Sequence, residues 1–398
     1  MLPRTLEPVL RQAAHRYPVV TLIGPRQSGK TTLVKMAFPD HVYASLEDPD
    51  QREFAATDPR GFLAQFNGPV ILDEAQRAPD LFSYIQTESD EVAGSGRFIL
   101  IGSHSFQLMR TISQSLAGRA AVLHLLPFSQ AEISKRLPLP RESIGQVIPP
   151  STKQARKDLM EALFTGGYPR IHDAGIPPQN WLANYYRTYV ERDVRELLNV
   201  GDLEAFGRFI GLCAGRASQL LNLSSLANDC GISHPTARRW LSVLEASFLV
   251  VLLRPHHRNF NKRLVKSPKL YFLDTGLLTY LLRIRSKDEL RTHSARGAIF
   301  ESFVVSELMK NALHRGQEPD LYFWRDSAGH EVDILLEQGN ELVPIEVKSG
   351  AALAEDFCAG LRYWRKLARA PEGPAALVYG GDRTVQRSGV ITYSWEDL

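Results

Sequence analysis

The sequence predicts an α/β protein that opens on a mostly parallel, helix-covered sheet and continues into a helical module and a second, C-terminal α/β domain. Three observations carry this expectation. The run PVVTLIGPRQSGKTTL at 18–33 reads as an apolar strand, a glycine-bounded loop and a helix start. Helical segments then alternate with short apolar runs, HVYASLED, GPVILDE, GRFILIGS and AAVLHLLPFS, as expected of strands joined by crossover helices. Near the C-terminus an apolar helix, GAIFESFVVSELMKNALH, precedes a hairpin pattern and a further strand.

At 398 residues the chain exceeds one ordinary core, so several domains are expected. The formal net charge of +3 decides little by itself; where the basic residues cluster matters more. Cys213, Cys230 and Cys358 are odd in number and lack metal-type spacing, which argues against a disulfide framework or a zinc site and fits a reducing compartment. The N-terminus carries Arg4, Glu7, Arg11, His15 and Arg16 with no signal-peptide core, and no later apolar run approaches membrane-spanning length. A cytoplasmic protein without a membrane partner is expected.

Residues 24–32 are Gly24, Pro25, Arg26, Gln27, Ser28, Gly29, Lys30, Thr31 and Thr32, a full match to G-x-x-x-x-G-K-[ST]. Gly24 and Gly29 let the backbone turn so that successive N–H groups face phosphate oxygens. Lys30 is placed to reach the β and γ phosphates of ATP, Thr31 offers its hydroxyl to Mg²⁺, and the helix start directs its positive end at the nucleotide. The strand GPVILDE ends in Asp73 and Glu74. Ligands gather at such strand ends in open α/β sheets, so Asp73 is expected to hold Mg²⁺, directly or through water, and Glu74 to orient or deprotonate the attacking water. Ser103 ends the next strand, before His104 and Ser105; it either senses the γ-phosphate or holds the attacking water, or it is an ordinary strand-end turn. Arg119 precedes another strand, where it is either an arginine finger acting on a neighbouring subunit or a surface ion pair. A homo-oligomer, such as a ring in the first case, is the corresponding expectation.

Taken in order, GPRQSGKTTL, SLEDPD, VILDEAQRAPDLF, IGSHSFQLMRTISQSLAGRA and LLPFSQAE, extended by GGYPR at 166–170 and YVERDVREL at 189–197, resemble the bacterial and archaeal AAA-like P-loop ATPases that carry a C-terminal domain of unknown function. The resemblance covers nearly the whole chain. It implies a P-loop NTPase sheet with an extra strand between the phosphate-loop strand and the Asp73 strand.

The expected organisation is an AAA-like core at 1–135, a linker and helical lid at 136–200, a winged-helix DNA-binding domain at 201–290 and a nuclease-like domain at 291–398. The stretch RLPLPRESIGQVIPPSTKQA is rich in Pro and polar residues and marks the first boundary. In the third segment, LSSLANDC, the turn at Gly231 and SHPTARRWLSVLEAS show helix-turn-helix spacing, with Ser233, His234, Thr236, Arg238 and Arg239 on the second helix. The following stretch reads as a two-stranded wing. Between Glu245 and Asp274 it holds no acidic residue, while Arg254, Arg258, Lys262, Arg263, Lys266 and Lys269 cluster there, a footprint for the DNA phosphate backbone. A protein-binding winged helix is the other reading.

In the last segment Glu301 sits among Phe300, Phe303, Val304 and Val305, where a carboxylate needs a partner or a metal. Asp333 lies in the hairpin, and alternation puts Glu346 and Lys348 on one face of the next strand. Glu301, Asp333, Glu346 and Lys348 resemble the helix carboxylate, the aspartate and the E-x-K pair of the PD-(D/E)XK nuclease fold, although no proline precedes Asp333. That resemblance implies a restriction-endonuclease-like domain in which Asp333 and Glu346, with Glu301, ligate Mg²⁺ or Mn²⁺ and Lys348 stabilises developing charge. Two functions follow: ATP-coupled DNA remodelling or cleavage in repair or defence, and an ATP-gated switch for a protein partner with an inactive nuclease-like scaffold.

Overall fold

The computed structural model describes residues 2–91, 94–103, 115–146, 158–190, 202–257, 265–387 and 389–398. His104, Ser105, Arg258, Lys262, Arg263 and most of YVERDVREL lie outside the described residues. The chain divides into two compact units. One comprises Met1–Phe128, Ala246–Phe248 and Leu313–Gln317, and the other Ser129–Glu245, Leu249–Ala312 and Glu318–Leu398.

In the first unit the chain runs α1 (Glu7–Arg16), β1 (Val19–Ile23), α2 (Lys30–Ala37), β2 (Val42–Ser45), α3 (Pro49–Thr57), α4 (Pro59–Ala64), β3 (Val70–Asp73), α5 (Leu81–Glu91), β4 (Phe98–Gly102) and β5 (Ala120–His124). The five strands pair in parallel in the order β2-β3-β4-β1-β5. β4 therefore lies between the phosphate-loop strand β1 and the Asp73 strand β3, as the resemblance implies. Strands covered on both faces read as near-continuous apolar runs, and β1 (VVTLI) and β4 (FILIG) are buried at every position. Alternation sends Val19 and Ile23 to one side with Phe62, Leu63, Phe82 and Ile85, and Val20 and Leu22 to the other with Leu10, Leu33 and Val34. Each such side chain contributes roughly 1.5–3 kcal/mol of burial, so the sheet that aligns the strand ends is well anchored.

The second unit opens with short helices, among them Leu159–Thr165 and Pro178–Tyr185, and then places helices Leu203–Gly215, Leu223–Cys230 and His234–Ala246 ahead of an antiparallel ribbon of β6 (Val250–Leu253) and β7 (Lys269–Phe272). After helix Arg296–Leu313 comes a mixed six-stranded sheet. It consists of β8 (Leu321–Arg325), β9 (Glu331–Gln338), β10 (Glu341–Lys348), β11 (Ala376–Tyr379), β12 (Val385–Arg387) and β13 (Val390–Ser394), in the order β12-β13-β11-β10-β9-β8. The β8–β9 and β9–β10 pairs are antiparallel, whereas β10–β11 is parallel. One apolar cluster joins Trp240 and Leu253 of the helical module to Phe300, Ile334, Ile345 and Tyr393, so the stretches read as 201–290 and 291–398 share a core. Among the described residues no helix is long and apolar enough to cross a membrane.

Candidate functional sites

The loop after β1 is built by close approach. A Cβ on Gly24 would fall 2.1 Å from the Leu125 carbonyl oxygen, and Gly29 at φ +92° adopts a conformation that side chains resist. Lys30, at the start of α2, is buried and donates to the carbonyl oxygens of Gly24 (2.9 Å) and Pro25 (2.8 Å). Burial holds its ammonium down from 10.5 to about 8, against the pull of Glu74 and Asp73. The Ser28 hydroxyl is buried without a hydrogen-bond partner. A cramped glycine turn, a desolvated cation and an orphaned hydroxyl together suit a phosphate chain, so the residues present fit ATP. Arg26 stands at the loop's edge with Gln27 and Thr32 exposed. Arg4 is an addition that the sequence did not signal: its guanidinium donates to Ser28 O (2.8 Å) and Leu126 O (2.6 Å) and lies over the Phe128 ring.

Asp73 and Glu74 end β3 beside this loop. The Thr31 hydroxyl donates to Asp73 Oδ2 at 2.7 Å and the Tyr43 hydroxyl to the same oxygen at 2.9 Å, while Asp73 Oδ1 accepts from the Glu74 amide. Thr31 and Asp73 thus put two oxygen donors side by side, a pairing that suits Mg²⁺. Tyr43 was not anticipated; only the parallel β2–β3 pairing brings it to Asp73. Glu74 sits in the left-handed region at φ +53°, a strained conformation of a kind that gathers at working sites. Its carboxylate accepts from the Ser103 hydroxyl at 3.0 Å and from the Gln76 amide. Burial pushes Glu74 up, but Arg26, Lys30 and these two hydrogen bonds together hold it below the usual carboxylate range. It therefore stays ionised at neutral pH, as a water-activating base must. Arg119 makes a bidentate pair with Asp90 of its own chain, at 2.6 and 2.9 Å.

In the second unit, Asp333 on β9 and Glu346 and Lys348 on β10 line one cleft of about 520 Å³. The antiparallel register pairs Ile334 with Ile345, so Asp333 and Glu346 are cross-strand neighbours. Lys348 Nζ lies 2.9 Å from Glu346 and 3.8 Å from Asp333, and Asp333 Oδ2 accepts from the Val347 amide at 2.9 Å. Burial, then the neighbouring Glu346 charge, push Asp333 up from 3.8 to about 7. Paired oxygen donors of this kind suit a hard divalent cation such as Mg²⁺ or Mn²⁺, although among the described residues no group of three or more His, Cys, Asp or Glu is placed to hold a metal.

Glu301 differs from its expected place in the metal set. Its carboxylate accepts from Lys269 Nζ at 3.1 Å and from the Tyr271 and Ser218 hydroxyls, and it is not part of the cleft lining. Lys269 also pairs with Glu331 and is buried, which removes it from the expected phosphate-contacting run. A lysine on a two-sided β strand is exposed or buried according to what packs on it, and here a carboxylate packs on it.

The helix-turn-helix spacing is realised: Leu223–Cys230 ends at Gly231 in the left-handed conformation, and the Ser233 hydroxyl accepts from the Thr236 amide at the start of the next helix. His234, Arg238 and Arg239 are exposed on that helix, and Thr236 is half-buried with its hydroxyl bonded to Ser233. Lys266, ahead of β7, is exposed.

Comparison with known proteins places these sites in a family. Residues 16–134 match a model described as an AAA domain, 156–288 a domain of unknown function (DUF8612) and 296–397 another (DUF4143). The uncharacterized proteins Rv2008c of Mycobacterium tuberculosis and Mb2031c of Mycobacterium bovis are each 32% identical over 343 residues, 85% of this chain and 72% of theirs. Among solved structures, the Walker-type ATPase PABY2304 of Pyrococcus abyssi matches at 15% identity and a TM-score of 0.44, covering 69% of this chain and 94% of that one. The RuvB Holliday junction branch migration motor of Thermotoga maritima matches at 20% identity and a TM-score of 0.30, covering 62% and 86%. The chain belongs to the family of these mycobacterial proteins, and its first domain is a P-loop ATPase domain of the AAA type.

Proposed function

We propose that this ATPase couples ATP binding and hydrolysis to work on DNA, either remodelling by translocation or branch migration or metal-dependent cleavage, in repair or defence. The observation that carries the DNA reading is the cleft where Asp333, Glu346 and Lys348 converge, two carboxylates and a lysine on adjacent strands of a mixed sheet. The exposed His234, Arg238, Arg239 and Lys266 supply phosphate contacts in the same unit.

At the nucleotide site Lys30 turns from its loop carbonyls to the β and γ phosphates, and Thr31 and Asp73 hold Mg²⁺. Mg²⁺, once bound there, would neutralise charge that develops on the phosphates. Glu74 takes the proton of the attacking water, with Ser103 and Gln76 fixing its carboxylate. Arg119 acts on a neighbouring subunit only by exchanging Asp90 for that subunit's γ-phosphate, and a homo-oligomeric ring enters the proposal through this exchange alone. In the second unit Asp333 and Glu346 would hold Mg²⁺ or Mn²⁺, which would supply Lewis-acid chemistry, and Lys348 stabilises the charge that develops on the scissile phosphate.

A second reading, an ATP-gated switch binding a protein partner, draws support from Lys269 and Glu301, whose mutual pairing fits a stable scaffold. The deciding experiment incubates wild type, Lys30→Ala and Asp333→Asn with linear, forked and four-way-junction DNA in Mg²⁺ or Mn²⁺, with and without ATP. Cleavage lost in Asp333→Asn supports the nuclease. DNA-stimulated ATP turnover without cleavage leaves a remodelling ATPase, and indifference to DNA supports the switch.

A further inference from the structure

The cleft that holds Asp333 and Glu346 has an aromatic wall for which the chemistry of phosphate cleavage has no use. His330 and Tyr363 stack with their centroids 4.0 Å apart and their planes within 8°. Both line the cleft, as does Phe357. The stack is held rigidly from behind. Asp326, 2% exposed, accepts the Ala328 and His330 amides, each at 3.0 Å, faces His330 Nδ1 at 3.2 Å, and accepts the Tyr363 hydroxyl at 3.3 Å. One buried carboxylate thus fixes both rings and closes the turn between β8 and β9. Yet the imidazole it fixes is 49% exposed. Ordering an aromatic pair this firmly while leaving half of one ring to solvent is expensive unless the free face is used, because an exposed ring gains little from burial.

We infer that the His330–Tyr363 stack is a platform for an unpaired nucleobase next to the Asp333–Glu346–Lys348 cluster. The substrate class is therefore a nucleic acid with a single-stranded segment, such as a flap, fork or gap, rather than an intact duplex. A base inside a duplex has both faces covered by its neighbours, whereas an unpaired base offers a face to an aromatic ring. The cleft volume of about 520 Å³ is in the range of small-ligand pockets and accommodates one nucleotide. Lys348 meets the sugar-phosphate, with a divalent cation offsetting the Asp333 and Glu346 charges, and the aromatic wall meets the base. This inference rests on the reading of the second unit as a nucleic-acid-binding module, and it concerns binding rather than cutting.

The test measures affinity by fluorescence anisotropy in Ca²⁺, using the full chain, a labelled single-stranded oligonucleotide, the same strand with abasic sites, and a blunt duplex. Wild type is compared with His330→Ala and His330→Phe, and thermal melts confirm that both variants fold. His330→Ala should bind the single strand about tenfold or more weakly, as expected for loss of one stacked base. His330→Phe, which keeps the ring face, should stay within about threefold of wild type, and the abasic strand should show no difference between the three proteins. Equal binding of the single strand by His330→Ala and wild type, or a loss in His330→Ala as large on the blunt duplex as on the single strand, overturns the platform. A platform that behaves as expected while Mg²⁺ and Mn²⁺ give no cleavage sinks the nuclease but not the platform. If no nucleic acid binds any of the proteins, both the platform and the DNA reading fall.

Discussion

Lys30 and Asp333 occupy opposite predicaments. Burial lowers the Lys30 ammonium to about 8, and the loop answers with carbonyl dipoles and with the nearby Glu74 and Asp73 charges. Burial raises the Asp333 carboxyl to about 7, and its nearest carboxylate neighbour, Glu346, makes matters worse while Lys348 offsets only part. One site is a buried cation in a cramped loop and calls for an anion. The other is a crowded carboxylate pair and calls for a cation. Glu301 shows what a structural carboxylate looks like in the same protein: it too is buried, but Lys269, Tyr271 and Ser218 meet it directly. Burial and then the Asp333 charge still raise the Glu301 carboxyl, so burial shifts all three groups, and what separates them is the partners at hand: three direct donors for Glu301 against a second carboxylate and one lysine beside Asp333.

The strongest way to break this comparison is Lys30→Met. ATP turnover should fall by roughly 10²–10³-fold, as when a charged group that stabilises the transition state is removed. At the same time the nucleotide-free protein should become more stable at pH 7, by roughly 1–3 kcal/mol, because a folded-state value below the unfolded one makes the charged lysine a cost at all pH below about 8. That advantage should shrink as pH rises from about 8 toward 10.5. A melt unchanged at pH 7 means that the loop already compensates the charge.

Glu74→Gln comes next. The variant should retain ATP affinity while hydrolysis slows by about a hundredfold or more, measured by single-turnover kinetics alongside equilibrium nucleotide binding. Loss of affinity instead would mark Glu74 as a support of the loop.

Asp333→Asn should mirror Lys30→Met in the other unit. A carboxyl raised in the folded state stabilises fully below 3.8 and loses that contribution as pH rises through about 7. The neutral variant should therefore unfold later than wild type at pH 8, by on the order of 2 kcal/mol, with the difference vanishing near pH 4. Glu301→Gln should shift stability less, because the loss of one of the two carboxylates paired with Lys269, which keeps Glu331, offsets the relief of a carboxyl that burial raises. Thermal melts at the two pH values separate these outcomes; similar shifts in both variants would erase the distinction between cleft and scaffold.

The smallest effect concerns the exposed basic residues. Arg239→Glu with Lys266→Glu should weaken DNA binding and flatten its salt dependence by roughly 0.9 in log–log slope for each phosphate no longer neutralised, while leaving ATP turnover without DNA unchanged. An unaltered salt slope, read from binding isotherms at several ionic strengths, would direct this face toward protein.

The amino-acid order by itself determined whatever depends on neighbours along the chain. The glycine loop at 24–29, the strand ending in Asp73 and Glu74, the turn at Gly231 and the alternation that faces Glu346 and Lys348 together were all legible, because a turn, a cap or a strand face is set by a few adjacent residues. Other features were decided only when distant segments met. Tyr43 reaches Asp73 through strand pairing, Arg4 ties the phosphate loop to the segment after β5, and Glu301 finds Lys269. The same run of basic residues that reads as one footprint is divided by packing into a buried Lys269 and an exposed Lys266. Charge and hydrogen bonding act over a few ångströms of space and not of sequence. Which carboxylate is satisfied and which is left wanting a partner is therefore a property of the fold.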